Sequence, residues 1–324
     1  MIRTWIRVLY VRFYNEANTM SLTIGKSVDD SQKPMISVSG NKYLSPVKDN
    51  FTVKIYNLTY KQLIDIMEKK LFRIQIFCGY LDNQPFDSFD GKKIFDGGVI
   101  NIVNDKKDWK DNVATFVCAS RFVAKAQEWR CNVSFQSGIN LYSAIKYIGK
   151  RAGMTNMNID DSFKYKFLSE ASTAESSPAS YLEKISESNN SYFMNTDYSN
   201  GSEVNIFDSS RKTNRQIIID PNKGMIIGDA PELTSNGLTW ASLPVTNYLP
   251  GDLAKIDNAL INVSSGQDSY SGATSTPNAV YFDNQGLYYI FDLSYNLNNT
   301  SGDFLVKIHC KSKSLFKSLT GRDT

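Results

Sequence analysis

The chain has 324 residues, 41% of them hydrophobic, 12% aromatic and 21% charged, enough for two or more domains with substantial cores. Its 36 basic and 33 acidic side chains leave a net charge of +3 spread along the sequence, which argues against the concentrated basic footprint of a dedicated nucleic-acid binder. No run approaches the roughly 20 apolar residues that span a bilayer, and the first ten residues lack the continuous apolar segment and cleavage site of a secretory signal.

Residues 1–50 carry two short apolar stretches, 5–13 and 35–38, separated by a polar segment. They predict outer strands of a first module, the earlier one an edge strand. In residues 51–56, Phe51, Val53 and Ile55 alternate with Thr52, Lys54 and Tyr56, the period of a strand with one face on a core. Thr59 stands at an N-cap position, and Tyr60, Leu63, Ile64, Met67 and Leu71 form one stripe of a helix that ends in Glu68, Lys69 and Lys70. Alternation resumes over 72–78, with Ile74 and Ile76 on one face, and Gly79-Tyr80 leads into a polar turn. Residues 94–102 read as a strand interrupted by Gly97 and Gly98, the mark of a bulge or close backbone approach, and 113–119 complete the sheet.

Beyond a boundary near 121–135, Leu141, Ala144, Ile145, Ile148 and Ala152 follow helical spacing up to Gly153, a left-handed cap. Residues 169–177 read as a polar loop, and Ser177-Pro178 opens a second helix. Short strands follow at 192–194, 203–207 and 216–219. In the last module, Leu287, Tyr289, Phe291 and Leu293, and later Phe304, Val306, Ile308 and Cys310, read as buried strand faces joined by a hairpin. The stretch 264–278 is a Ser/Gly/Thr loop, and a basic, polar tail begins at Lys311.

Chemistry-bearing residues are sparse. His309 is the one histidine, without a partner recognisable in the sequence, so it reads as a plain strand residue. Asp82, Asp87, Asp90 and Asp96 crowd one Gly/Asn/Ser-rich region and read as solvated turn acids, with neither calcium-loop spacing nor a glycosidase-like pair. Cys78, Cys118, Cys131 and Cys310 form no C-x-x-C pair and read as reduced thiols, the first, second and fourth in apolar strand-like runs. Trp5, Trp109, Trp129 and Trp240 are too scattered for a sugar platform. These readings predict no catalytic residue, no cofactor and no metal.

The runs Val53-x-Ile55-x-Asn57, Gly79-Tyr80 ahead of a long turn, and Ile94-Phe95-x-Gly97-x-Val99-Ile100 resemble the first tube-forming domain of baseplate hub proteins from contractile-tail bacteriophages, a family related to domains at the base of type VI secretion spikes. Gly224-Met225-Ile226-Ile227-Gly228, Pro231-Glu232-Leu233-Thr234, Gly237-Leu238-Thr239 and the turn Leu249-Pro250-Gly251-Asp252 are similar to the second tube domain of the same hubs. Leu243-Pro244-Val245-Thr246-Asn247 departs from the Leu-Asn-Pro-like run that often precedes that turn.

The resemblance implies a β-dominated α+β fold with two similar β-barrel-like tube domains, 1–122 and 224–316, a small mixed helical middle domain, 123–223, and a tail, 317–324. It implies a non-enzymatic homotrimer in the virion tail baseplate, assembled in the host cytoplasm. Its partners would be the central spike, the tail tube protein, and baseplate wedge and tape-measure proteins, with DNA passing transiently through the lumen and no membrane insertion. Phe51, Val53, Ile55, Ile74, Ile76, Tyr289 and Phe291 would lie on the strands of the ring wall. Two other classes stay open on the sequence, a tail-tip cell-wall hydrolase and a carbohydrate-binding adhesin.

Overall fold

Alternating strands dominate the computed structural model, which describes residues 6–26, 34–44, 48–81, 91–107, 111–120, 123, 133–151, 157–174, 180–181, 192–195, 204–208, 215–234, 237–263, 283 and 285–312. The chain divides into two compact units, one of Met1–Asp208 with Tyr295–Phe304 and one of Ser209–Ser294 with Leu305–Thr324.

The first unit opens with β1 (Ile6–Tyr14), β2 (Ser21–Ile24), β3 (Ile36–Tyr43), β4 (Asn50–Tyr56), α1 (Tyr60–Glu68), β5 (Arg73–Leu81), β6 (Lys92–Lys107) and β7 (Asp111–Ser120). Neighbouring strands run in the order β3-β4-β7-β6-β5-β1-β2, every pair antiparallel. The alternation of β4 holds, with Phe51, Val53 and Ile55 buried between exposed Asn50 and Lys54. Residues 295–304 of the same unit bridge β3, at one end of the order, to β1 and β5 near the other, giving barrel-like closure. Arg7 of β1 donates to the carbonyls of Asn298 at 3.4 Å and Gly302 at 2.8 Å. At the far end, the Asn299 amide donates to Ile36 O at 3.2 Å, and Ile36 N donates to Asn299 Oδ1 at 2.8 Å. Tyr80 of β5 meets Phe304 edge to face.

Two expectations are adjusted here. The N-terminal strand is an edge only over its first part: among the described residues Ile6–Tyr10 pair with β5 alone, whereas Val11–Tyr14 also have β2 on the second flank. Its run Val8-Leu9-Tyr10-Val11 is buried throughout because both faces are covered, Tyr10 stacking on Phe77 at 4.7 Å. The α1 stripe is also rotated. Thr59 caps the helix in a reciprocal box, its amide donating to Gln62 Oε1 and its hydroxyl accepting from Gln62 N. The buried pair is Leu63 and Ile66, whereas Tyr60 and Met67 are 77% and 54% exposed. The helix is only 9 residues long, and Lys70 turns left-handed at φ 50, so Leu71 reaches the core from the turn after the helix.

The glycine-interrupted strand behaves as expected. β6 slips register against β5 at Ile76/Phe77 and against β7 at Val99/Asn101. A Cβ at Gly97 would collide with the Phe95 ring and the Ala119 carbonyl.

The same unit holds β8 (Val133–Phe135), α2 (Leu141–Arg151), β9 (Met157–Ile159), β10 (Ser172–Ala174), β11 (Tyr192–Asn195) and β12 (Val204–Asp208). Leu141, Ala144, Ile145 and Ile148 are the buried stripe of α2, packed with Phe135, Phe163, Tyr181 and Ile206. Residues 172–174, expected as loop, pair with β8, whose short edge they cover. Ala152, Gly153 and the helix start at Ser177-Pro178 lie outside the described residues.

The second unit carries β13 (Gln216–Ile218), β14 (Ile227–Thr234), β15 (Gly237–Ser242), β16 (Leu253–Lys255), β17 (Asn262–Val263), β18 (Leu287–Asn298) and β19 (Phe304–Ser312), the last two sharing with the first unit their hairpin tip at 295–304. Its order is β13-β16-β18-β19-β15-β14-β17. Numbered by their place in the chain, β1, β3, β4, β5, β6, β7 and β13, β14, β15, β16, β18, β19 share one spatial order, 1-4-5-6-3-2. In both sets strand 4 pairs antiparallel with 5, strand 3 with 6, and strand 2 with 3. The sets differ at strand 1, antiparallel to strand 4 in the first and parallel in the second. The fold is therefore β-dominated, built on two similar barrel-like strand sets with a small mixed region between them. The Leu249-Pro250-Gly251-Asp252 turn is fastened by Asp252 Oδ2, which accepts from Leu249 N at 3.0 Å.

β19 buries Phe304, Val306, Ile308 and Cys310 as expected, and it continues through Lys311 and Ser312, which were expected in the tail. β18 departs from expectation: Tyr288 and Ile290 are buried while Leu287, Tyr289 and Phe291 are half-buried, and the phase returns at Leu293. The run is apolar at both phases up to Asp292, so alternation alone could not select the inner face. Residues 264–278 and 313–324 lie outside the described residues. Gly97→Ala should lower stability by about 1–3 kcal/mol through overpacking, measured by urea denaturation of the full chain.

Candidate assembly surface

Five expected wall residues, Phe51, Val53, Ile55, Ile74 and Ile76, are core side chains of the first unit, each fully or almost fully buried. Phe51 packs against Phe95 at 4.4 Å and Tyr295 at 5.7 Å between ring centroids. Tyr289 and Phe291 are half-buried in the second unit. The first five therefore back their strands from inside, and surfaces available to another molecule belong to other positions.

In the first strand set β6 outruns its neighbour. β5 pairs with β6 only from Cys78↔Lys92 to Arg73↔Gly98, and the Val99 amide then donates to Phe72 O at 2.7 Å. Residues 100–107 continue beside β7 on one flank, and among the described residues no strand pairs with the other. Ile100 and Val103 on this overhang are 44% and 40% exposed. Exposed β-branched side chains on an unpaired flank form a template for a further strand.

Beside it, β5 and β6 are clamped by a buried ion network. Arg73 donates two parallel bonds to Asp96, Nε to Oδ1 at 2.9 Å and Nη2 to Oδ2 at 2.8 Å. Gln75 Nε2 adds a third bond at 2.6 Å, Lys93 Nζ lies 3.5 Å away, and Arg73 Nη1 also reaches Asn18 Oδ1 at 2.7 Å. Burial alone would raise the Asp96 carboxyl, but the Arg73 bonds and charge, helped by Lys93 and Gln75, hold it below its ordinary 3.8. This corrects the reading of Asp96 as a solvated turn acid: it lies within β6, opposite Gln75 and two residues from Gly98, the position opposite Arg73, and that cross-strand placement was invisible before the register was known. Asp82, Asp87 and Asp90 lie outside the described residues.

His309 has a partner that the sequence did not reveal, Asp292 Oδ2 at 2.9 Å from Nδ1, and its ring meets Phe291 edge to face. The pair spans β18 and β19, far apart in sequence and brought together only by the hairpin. Cys78, Cys118 and Cys310 are free and buried; burial pushes the Cys78 thiol up to about 12 and raises the other two, so all three are poor nucleophiles. Trp240 is buried, its indole donating to Met225 O at 3.0 Å; Trp5, Trp109, Trp129 and Cys131 lie outside the described residues.

No family model and no curated protein matches the sequence. Solved structures do match. A 43 kDa tail protein of prophage MuSo2 from Shewanella oneidensis is similar at a TM-score of 0.55 and 9% identity, over 93% of this chain and 98% of that one. The chain has the fold of phage tail proteins. A tail protein from Neisseria meningitidis MC58 is similar at 0.53 and 8% identity, over 96% and 98%. The E. coli c3393 protein, a component of the type VI secretion system that is structurally similar to the T4 tail proteins gp27 and gp5, is similar at 0.54 and 9% identity, over 86% and 74%.

Asp96→Asn should cost about 2–3 kcal/mol at neutral pH, because the Arg73 charge loses its buried counter-ion. Since the folded carboxyl titrates below 3.8, its contribution is complete above the ordinary carboxylate range and is lost as pH falls through the lowered value. Urea denaturation across pH should show a constant gap between wild type and variant above about pH 5, narrowing below about pH 4.

Proposed function

We propose that the protein is a structural, non-enzymatic hub subunit of a tail baseplate, of which three copies close a ring between a central spike and the tail tube. The observation that carries this reading is the strand order 1-4-5-6-3-2, present twice in one chain. Three copies of a chain with two similar strand sets place six similar walls around a threefold axis. Such a ring meets a threefold spike on one side and a sixfold tube on the other, and it serves as the first layer on which the tube assembles.

In this reading 1–122 and 224–316 are the tube domains and 123–223 the outer decoration. The strands carrying Phe51, Val53, Ile55, Ile74, Ile76, Tyr289 and Phe291 form the wall, with the first five side chains bracing it from within. The likeness to phage tail proteins and to a type VI secretion component supports a place in the virion tail. A net charge of +3 suits a conduit, since a strongly cationic lining would retain the phosphates of passing DNA.

Light scattering and electron micrographs of the purified full chain, alone and with its spike, should show annular trimers. Monomers that persist in the presence of the spike would overturn the reading.

A further inference from the structure

The two strand sets differ in what lies beside their fifth strand. In the second set this strand is β18. It outruns β16 at Ile290, whose carbonyl accepts from Gly251 N at 2.8 Å and whose amide donates to Asp252 O at 2.9 Å. Residues 291–298 continue to a hairpin tip that belongs to the first unit, where Asn299 exchanges hydrogen bonds with Ile36 at the start of β3. The tip thus rests on the second strand of the first set.

In the first set the fifth strand is β6. It outruns β5 at the equivalent point, where Val99 N donates to Phe72 O, and residues 100–107 form an overhang of the same length as 291–298. Here no strand pairs with the overhang among the described residues. The strand equivalent to β3 is β14. Its later half is covered by β17, through Glu232↔Asn262 and Leu233↔Val263, but 227–230 have no strand on that flank among the described residues, and Gly228, Asp229 and Ala230 are exposed.

We propose that the overhang 100–107 of β6 in one copy pairs with the start of β14 in a second copy, as the segment 295–299 meets the start of β3 within the first unit. The proposal rests on the ring reading above and names the strands that close it. The contact inside the first unit supplies the pattern for the contact between copies. Pairing would satisfy the backbone groups of the overhang and cover Ile100 and Val103. The two surfaces are different, so the contact is head to tail, and it ends only when the last copy returns to the first.

The test combines Asn104→Cys and Asp229→Cys in the full chain, on a Cys131→Ser background. Oxidation should give covalent dimers and trimers on a non-reducing gel. An equimolar mixture of the two single variants should give dimers only, and each single variant alone should give neither. Val103→Lys should lower the trimer fraction at least tenfold in light scattering while leaving the circular dichroism melt unchanged. Trimers that form without any cross-link and are indifferent to Val103→Lys would overturn the strand assignment and leave the ring standing. Absence of trimers at every protein concentration, with or without the spike, would overturn both.

Discussion

A β-strand has two hydrogen-bonding flanks, and each must be met by another strand, by a covering segment or by water. The architecture of this chain follows from how it meets that demand. In the first unit, the seven-strand order is open, and the chain returns some 290 residues later with a hairpin tip that bridges β3 at one end to β1 and β5 near the other through Asn299, Arg7 and Phe304. Side-chain packing is arranged around this closure: Phe51 meets both Phe95 from its own sheet and Tyr295 from the returning tip. The doubled strand order extends the same logic, because each set supplies both an overhang and a strand start on which an overhang can rest.

Precision within the first set depends on polar and backbone devices as much as on apolar burial. Gly97 leaves room for the Phe95 ring and lets β6 approach β7, and the Arg73–Asp96–Gln75 network fixes β5 against β6 next to the place where β5 ends. A buried carboxylate with three strong donors is tolerated only in one register, since a slip by one residue would turn Asp96 away from them. The clamp therefore helps to define where the β6 overhang begins.

Much of this was legible from residue patterns. β4 and β19 alternate with one apolar face each, the α2 stripe is clean, Thr59 announces its helix, and Gly97-Gly98 marks the irregular part of β6. What escaped depends on partners distant in sequence. β18 offers apolar residues at both phases, so its inner face was decided by packing. β1 looked like an edge throughout because nothing nearby shows that β2 covers the second flank of Val11–Tyr14. Asp96 looked like a solvated turn acid until register placed Arg73 beside it, and His309 looked like a plain strand residue until the hairpin placed Asp292 beside it. The candidate wall strands could be named, but five of their marked side chains turned inward, while the exposed Ile100 was read only as part of a glycine-interrupted strand ending at 102 and Val103 lay beyond it.

The returning tip also sets a timetable for synthesis. The first unit takes residues 295–304 from far along the chain, so a nascent polypeptide emerging from the ribosome holds an open barrel until that segment has been made. Contacts of such long sequence separation fold slowly and leave strand flanks bare in the meantime. A product truncated before that segment lacks the bonds to Arg7 and Ile36 and keeps those strand flanks open.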